Sequence, residues 1–222
     1  MISNEERKKR IAIPSYTLGE ELISSISHGI GALLGISALV LCVVKSCNPL
    51  DGYKLASSIV FGLNIIILYL MSCLYHALKV NKAKRVFRVF DHCTIFLLIA
   101  GTYTPYTLVT LRDTIGWWLF GVIWLMAVVG VVLNAVSLRK FAKLSVACYL
   151  IMGWMVLLSF GQLKAQLNWN GILMLIAGGC AYTIGAIIYG VGSRKRYFHS
   201  VFHFFCLAGT ILHFFSIYLY VL

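Results

Sequence analysis

Residues 115–137 read IGWWLFGVIWLMAVVGVVLNAVS and contain no charged side chain. Because an α-helix rises about 1.5 Å per residue, a stretch of this length can cross the roughly 30 Å hydrocarbon core of a bilayer. On either side of it, six further apolar runs predict membrane spans, at 22–44, 54–78, 87–111, 142–162, 171–191 and 198–222. The sequence therefore predicts seven transmembrane helices joined by short connections.

The composition of the chain supports the same fold class. Its 222 residues are 60% hydrophobic and only 12% charged, whereas soluble domains carry roughly a quarter charged residues. Lipid tolerates only helices or closed barrels, and these runs are too long and too uniformly apolar for barrel strands. We therefore expect an all-α integral membrane protein, a seven-transmembrane helix bundle, with a single membrane domain over 22–222. The segment 1–21 is expected to be cytoplasmic and to contain a short interfacial helix, because Thr17 and Glu20 match a helix capping box.

The positive charges predict the orientation of the chain. Fifteen of its 19 lysines and arginines lie on one side of the predicted spans: in the tail at 7–10 and in the loops after spans 2, 4 and 6. The positive-inside rule then places the N-terminus in the cytoplasm and the C-terminus outside. The net charge of +12 is divided among short segments that flank lipid, so we expect membrane lipids and anionic headgroups as partners rather than nucleic acid. The small size and short tails suggest a multi-pass protein of a bacterial plasma membrane.

Polar side chains cluster near the predicted cytoplasmic ends of three spans. Ser72 and His76 lie in span 2, Asp91 lies in span 3, and His199 and His203 lie in span 7. An ionisable side chain inside a membrane span costs a few kcal/mol on insertion scales, so it indicates a functional site. His199 and His203 are four residues apart and therefore share one face of a helix, as do Ser72 and His76.

This pattern predicts a metal site. Two imidazoles on one helical turn and a third from a neighbouring helix form the three-ligand set of a catalytic zinc site, which leaves one position open for a water whose pKa falls towards 7. Asp91 is the only carboxylate inside a predicted span and could accept a proton from that water, while Ser72 could donate a hydrogen bond. The alternatives are that the histidines are hydrogen-bonded packing residues and that Asp91 pairs with Arg88, three residues earlier.

The sequence predicts supporting or structural roles for the three remaining histidines. His28 matches the cluster in depth but has no spaced partner, so we expect it to support the site or the packing. His92 points about 100° away from Asp91 on a helix, which favours a packing or interfacial position. His213 lies ten residues beyond His203 and is expected to be hydrogen-bonded within the bundle.

Several motifs stand out along the chain: EELISSISHGIG at 20–31, SCLYH at 72–76, Asp91, GTYTP at 101–105, HSVFH at 199–203 and His213. Together they resemble the motifs of the haemolysin III family, which is related to the progestin and adiponectin receptors and more distantly to the alkaline ceramidases. The resemblance extends over about 17–222. The first motif departs from the family, which often has Asn where Ser24 or Ser25 stands. The resemblance implies a seven-helix bundle with zinc near the cytoplasmic face. It also implies that His76, His199 and His203 are the ligands, that Asp91 contacts the water at the metal and that Ser72 supports it.

The resemblance further implies a zinc-dependent hydrolase that acts on a lipid amide or a related bond, as a ceramidase-like amidase does. Two alternatives remain open. The family name suggests cytolysis through a membrane-lytic pore or channel, although predicted spans 4 and 6 lack a continuous polar stripe. A lipid-sensing, receptor-like protein would instead use the zinc site structurally.

Overall fold

The computed structural model describes residues 13–192 and 195–222, and its regular structure within these ranges is helical. A π-helical turn, Tyr106–Thr110, extends the third helix, and a 3₁₀ turn, Met155–Ser159, follows the fourth. The tail charges at 7–10 and Arg194 lie outside the described residues. The α-helices are α1 Leu18–Ser46, α2 Gly52–Ala77, α3 Lys82–Pro105, α4 Gly116–Trp154, α5 Phe160–Gln166, α6 Trp169–Val191 and α7 Phe198–Tyr220.

Six helical segments within the described residues are long and apolar enough to cross a membrane. The predicted all-α, multi-pass membrane fold is thus confirmed, but the predicted count of seven spans is not. The difference arises because the predicted spans 115–137 and 142–162 lie within one helical segment of 51 residues, Gly116–Gln166. The other five segments are α1, α2, α3 with its π-helical turn, α6 and α7.

The long α4 is interrupted at Ser137, whose backbone is extended, with φ −162° and ψ 93°. The side chain of Asn134 accepts a hydrogen bond from Ser145 at 2.6 Å and donates one to the hydroxyl of Tyr149 at 3.2 Å. In a straight helix, residues 134 and 145 would lie about 16 Å apart along the axis. The two parts of α4 therefore turn back on each other at Ser137 and lie side by side.

The predicted capping box at the start of α1 is confirmed. The Thr17 hydroxyl accepts a hydrogen bond from the backbone N–H of Glu20, and the Glu20 carboxylate accepts one from the backbone N–H of Thr17 at 2.8 Å. The helix then continues without interruption to Ser46, so the capped turn predicted as a short interfacial helix is the first turn of α1.

Small residues allow the neighbouring helices to approach closely. A Cβ at Gly62 on α2 would lie 2.6 Å from Cβ of Leu39 on α1, and a Cβ at Gly178 on α6 would lie 2.2 Å from the ring of His213 on α7. Polar contacts fix the same arrangement, since the hydroxyls of Ser24 and Ser200 lie 3.1 Å apart between α1 and α7. The start of α1, the end of α2 and the start of α7 are thereby brought to one end of the bundle.

We predict that Asn134→Ala destabilises the protein. Asn134 is fully buried, and its loss leaves the buried Ser145 hydroxyl without its side-chain partner, which typically lowers the free energy of unfolding by about 1–3 kcal/mol. The Tyr149 hydroxyl loses one hydrogen bond but still donates to the carbonyl of His92 at 2.8 Å. Thermal unfolding in detergent micelles measures the effect. Asn170→Ala, an exposed position at the start of α6, is the matched control and should leave the midpoint unchanged. Equal midpoints for the two variants would contradict the hydrogen-bonded reversal at Ser137.

Candidate metal centre

Three histidines converge at the end of the bundle where α2 ends and α7 begins. The Nε2 atom of His199 lies 3.2 Å from Nε2 of His76 and 3.1 Å from Nε2 of His203. One nitrogen from each ring can be chosen so that all three lie within 4.8 Å of one another. The sequence pattern predicted this set, and the structure brings its members together.

The geometry of the three rings suits a metal ion. In a tetrahedral zinc site with Zn–N distances of about 2.0–2.1 Å, the ligand nitrogens lie about 3.3–3.4 Å apart, close to the two separations seen here. His76 and His203 are buried, so water is largely kept from their rings. A cation at this position would accept all three lone pairs together. The three imidazoles could therefore hold a metal ion.

The start of α7 is held against α1 by hydrogen bonds. The backbone N–H of Tyr197 donates to the Glu20 carboxylate at 2.7 Å, and Tyr197 adopts a left-handed conformation with φ 64° that ends the preceding loop. One turn later, the Ser200 hydroxyl lies beside that of Ser24. These contacts fix the first turn of α7 and with it the position of His199.

Asp91 and Ser72 lie in the wall of a cavity that His199 and His203 also line. Both side chains are buried. The Ser72 hydroxyl lies close to the Asp91 carboxylate, and within the described structure it makes no hydrogen bond. An unused hydroxyl beside a carboxylate at a cavity wall is available to a ligand. Whether the two groups act in catalysis stays a prediction.

The remaining histidines differ in how they relate to this site. The ring of His28 stacks on that of His203 with centroids 3.7 Å apart, so it packs directly against a candidate ligand. His213 hydrogen-bonds the carbonyl of Leu175 through Nε2 at 3.0 Å, which confirms the predicted bond within the bundle. His92 was expected to point away from Asp91. Its Nδ1 instead lies 3.4 Å from the Asp91 carboxylate, and its side chain lines the same cavity.

Sequence reasoning gave no role to three residues that contact the cluster or its neighbours. Glu21 lies 2.6 Å from both His76 and Lys84, although only its place in the first motif drew attention to it. The ring of Tyr16 stacks on His199 with centroids 4.8 Å apart and covers the cluster from the segment before α1. Burial raises the pKa of the Tyr16 phenol, so its hydroxyl stays protonated.

The cavity is long and mostly apolar, with a volume of about 210 Å³. It is lined both by Tyr189, near the end of α6, and by Ile172, near the beginning of α6, so it extends about 25 Å along that helix. Its polar end carries the histidines and Asp91, and its far end is formed by apolar side chains such as Leu163. This shape suits an elongated apolar molecule that carries one polar group at its end.

Comparison with known proteins gives consistent matches over most of the chain. A family model described as "Haemolysin-III related" matches residues 16–214. The chain is 37% identical to Hemolysin-3 of Bacillus cereus over 203 residues, which cover 91% of this chain and 92% of that protein. It is 36% identical to the Hemolysin-3 homolog of Bacillus subtilis (strain 168) over 205 residues, 92% and 96% of the two chains. It is 23% identical to the human Monocyte to macrophage differentiation factor over 179 residues, 77% of this chain and 72% of that one.

We predict that the purified protein carries about one divalent metal ion per chain and that His199→Ala/His203→Ala removes it. Each substitution deletes one of the three converging nitrogens, and the single imidazole of His76 cannot retain the ion. Elemental analysis after gel filtration in detergent measures the content. His213→Ala changes another buried histidine of α7 and should keep the ion. A folded wild-type protein without metal would refute the site.

Proposed function

The chain belongs to the haemolysin-III related family, and from that premise we propose that it is a zinc-dependent hydrolase of membrane lipids that cleaves an amide or related bond. The single observation that carries the proposal is the group of three imidazoles at the polar end of a long apolar cavity. A lipid can place its chain in the apolar part of this cavity and its polar linkage beside the imidazoles. The wall at the same end supplies a carboxylate, Asp91, and a hydroxyl, Ser72.

The proposed topology has seven spans, with the N-terminus and the metal centre on the cytoplasmic side. As a straight helix, the segment Gly116–Gln166 would be about 76 Å long, more than twice the bilayer core, and the reversal at Ser137 divides it into two lengths that each fit. Basic residues follow the reversal, with Arg139 and Lys140 directly after it. The positive-inside rule therefore favours a cytoplasmic position for this turn.

Each residue has a distinct role in the proposed reaction. His76, His199 and His203 would hold the ion, and zinc bound there would act as a Lewis acid and lower the pKa of a water towards 7. The Asp91 carboxylate would accept a proton from the attacking water and then deliver it to the departing nitrogen. Ser72, whose hydroxyl has no partner within the described structure, would donate a hydrogen bond to the carbonyl oxygen of the substrate.

The lipid partners follow from the shape and the charge of the protein. The apolar cavity wall, which includes Leu98, Val156 and Ile172, would contact an acyl chain along its length. Exposed lysines at the proposed cytoplasmic ends of the helices, among them Lys79, Lys82 and Lys195, would attract anionic headgroups. The relatives in two Bacillus species favour a bacterial plasma membrane as the location.

A membrane-lytic pore is the competing function, because a close relative bears the name Hemolysin-3. A conducting pore formed by one chain needs a polar path through the bilayer. The cavity of this chain is polar at one end and apolar along most of its length. This distribution favours a lipid over an aqueous path as the occupant. A lipid-sensing receptor would use the same cavity but would not turn its ligand over.

We predict that Asp91→Asn lowers turnover by at least about 100-fold while the zinc content stays at the wild-type level, since the amide cannot accept the proton but does not remove a ligand. Release of fatty acid from a ceramide and from an N-acyl amino acid in mixed micelles measures turnover. Asp113→Asn changes an exposed loop carboxylate and serves as the matched control. Full activity in the Asp91 variant on every lipid that the wild type hydrolyses would exclude the mechanism.

We predict that the protein, reconstituted in liposomes, does not release an entrapped dye. A hydrolase whose cavity is mostly apolar provides no aqueous path, whereas a pore leaks whether or not His203 is present. Dye release is therefore measured in parallel for the wild type, for His203→Ala and for empty liposomes. Equal and rapid leakage from both proteins would support the pore and overturn the hydrolase.

A further inference from the structure

Two adjacent carboxylates at the start of α1 contact different partners. Glu20 bonds the backbone N–H of Thr17 at 2.8 Å and that of Tyr197 at 2.7 Å, so it caps one helix and anchors the start of another. Glu21 instead points to the end of α2, where its Oε2 atom lies 2.6 Å from Nδ1 of His76. The first motif therefore contains one carboxylate that serves the fold and one that contacts the metal centre.

The contact with Glu21 determines which nitrogen of His76 is free. An ionised carboxylate can only accept hydrogen bonds, so Nδ1 of His76 carries the hydrogen and donates it to Glu21. The lone pair is then on Nε2. This is the atom that lies 3.2 Å from Nε2 of His199 in the cluster. Glu21 thus holds both the tautomer and the ring orientation that a metal ligand requires.

Lys84 fixes Glu21 from the opposite side. Its ammonium lies 2.6 Å from Oε1 of Glu21 and 2.9 Å from the carbonyl of Leu78, and it sits over the ring of Tyr75 at 5.1 Å from the centroid. Lys84 is only 1% exposed. A buried ammonium needs a compensating charge, which is here the Glu21 carboxylate. The chain of contacts from Lys84 through Glu21 to His76 joins α3, α1 and α2.

The other two candidate ligands are held differently. In the part of the chain that the structure describes, Nδ1 of His199 and Nδ1 of His203 have no hydrogen-bond partner. His199 is oriented by stacking against Tyr16, and His203 by stacking against His28. Among the three imidazoles, it is therefore His76 whose orientation depends on a charged hydrogen bond.

We propose that Glu21 is a positioning residue that prepares His76 to bind the metal ion and that Lys84 acts through Glu21. The proposal rests on the zinc site of the proposed function. It adds a carboxylate, Glu21, that hydrogen-bonds the ligand His76 and is itself held by the buried Lys84. Removal of such a partner typically weakens metal binding by about 10–100-fold. Lys84 does not contact the imidazole of His76 in this relay. Its contribution to zinc affinity should therefore disappear when Glu21 is replaced by a neutral residue.

The experiment measures zinc affinity by competition with a chromophoric chelator, using the full chain in detergent. Glu21→Gln should weaken binding by about 10–100-fold, and Lys84→Met should weaken it less. The double variant Glu21→Gln/Lys84→Met removes both charges together, so it leaves no unpaired buried ion and should bind like Glu21→Gln alone. Asp113→Asn is the control, since Asp113 is an exposed loop carboxylate that pairs with Arg112 and contacts none of the three imidazoles, and it should keep the wild-type affinity.

A second readout separates positioning from general stability. With cobalt(II) in place of zinc, the visible spectrum reports the geometry of the ligands, and Glu21→Gln should shift it while Asp113→Asn should not. If Glu21→Gln binds zinc with wild-type affinity and its cobalt(II) form has the wild-type spectrum, the role of Glu21 is overturned and the proposed hydrolase stands. A wild-type protein that binds no zinc would overturn both.

Discussion

A polar side chain without a partner is costly in a lipid environment, and this constraint organises the protein. Several buried polar groups near the candidate metal centre lie where helices meet and bond one another across the gaps. Ser24 meets Ser200 between α1 and α7, Ser25 donates to the carbonyl of Cys73 between α1 and α2, and Glu21 bridges α1, α2 and α3. Of the groups that would hold a metal ion, His76 joins this arrangement through Glu21, so the same contacts stabilise the fold and orient a candidate ligand.

The cluster of three histidines could be predicted from sequence because its signal is local. The four-residue spacing of His199 and His203 fixes their common face, and His76 stands out as an imidazole in an apolar run. The relay from Lys84 to Glu21 could not be predicted in this way, since its ionic contact joins residues 63 positions apart and Lys84 resembles the other basic residues that follow the second span. The fold shows the same limit. Apolar runs predicted the spans and separated 115–137 from 142–162 at the place where the chain reverses, but the contacts of Asn134 that hold the two parts side by side follow no sequence periodicity.

The cavity and the metal centre impose a joint requirement on any ligand. The histidines and Asp91 lie at one end, and the apolar wall continues about 25 Å along α6. A short polar molecule would leave most of this wall without contact, while a purely apolar one would leave the buried Ser72 hydroxyl unused. Molecules that satisfy both ends are amphiphiles with a polar linkage near one end, and this is the class of ligand that the proposed function assumes.

Two of the three imidazoles come from α7, and the third comes from α2. Because a chain enters the membrane from its N-terminal side during synthesis, α7 is the last of the described helices to arrive. A nascent protein that has inserted α1 to α6 presents only one of the three candidate ligands, His76. An ion held by the proposed site would therefore be captured only when α7 docks, and it would fasten this last helix to α2. Under the proposed function, metal loading would report that assembly of the bundle is complete, and a cell short of zinc would accumulate chains whose final helix is held only by packing and hydrogen bonds.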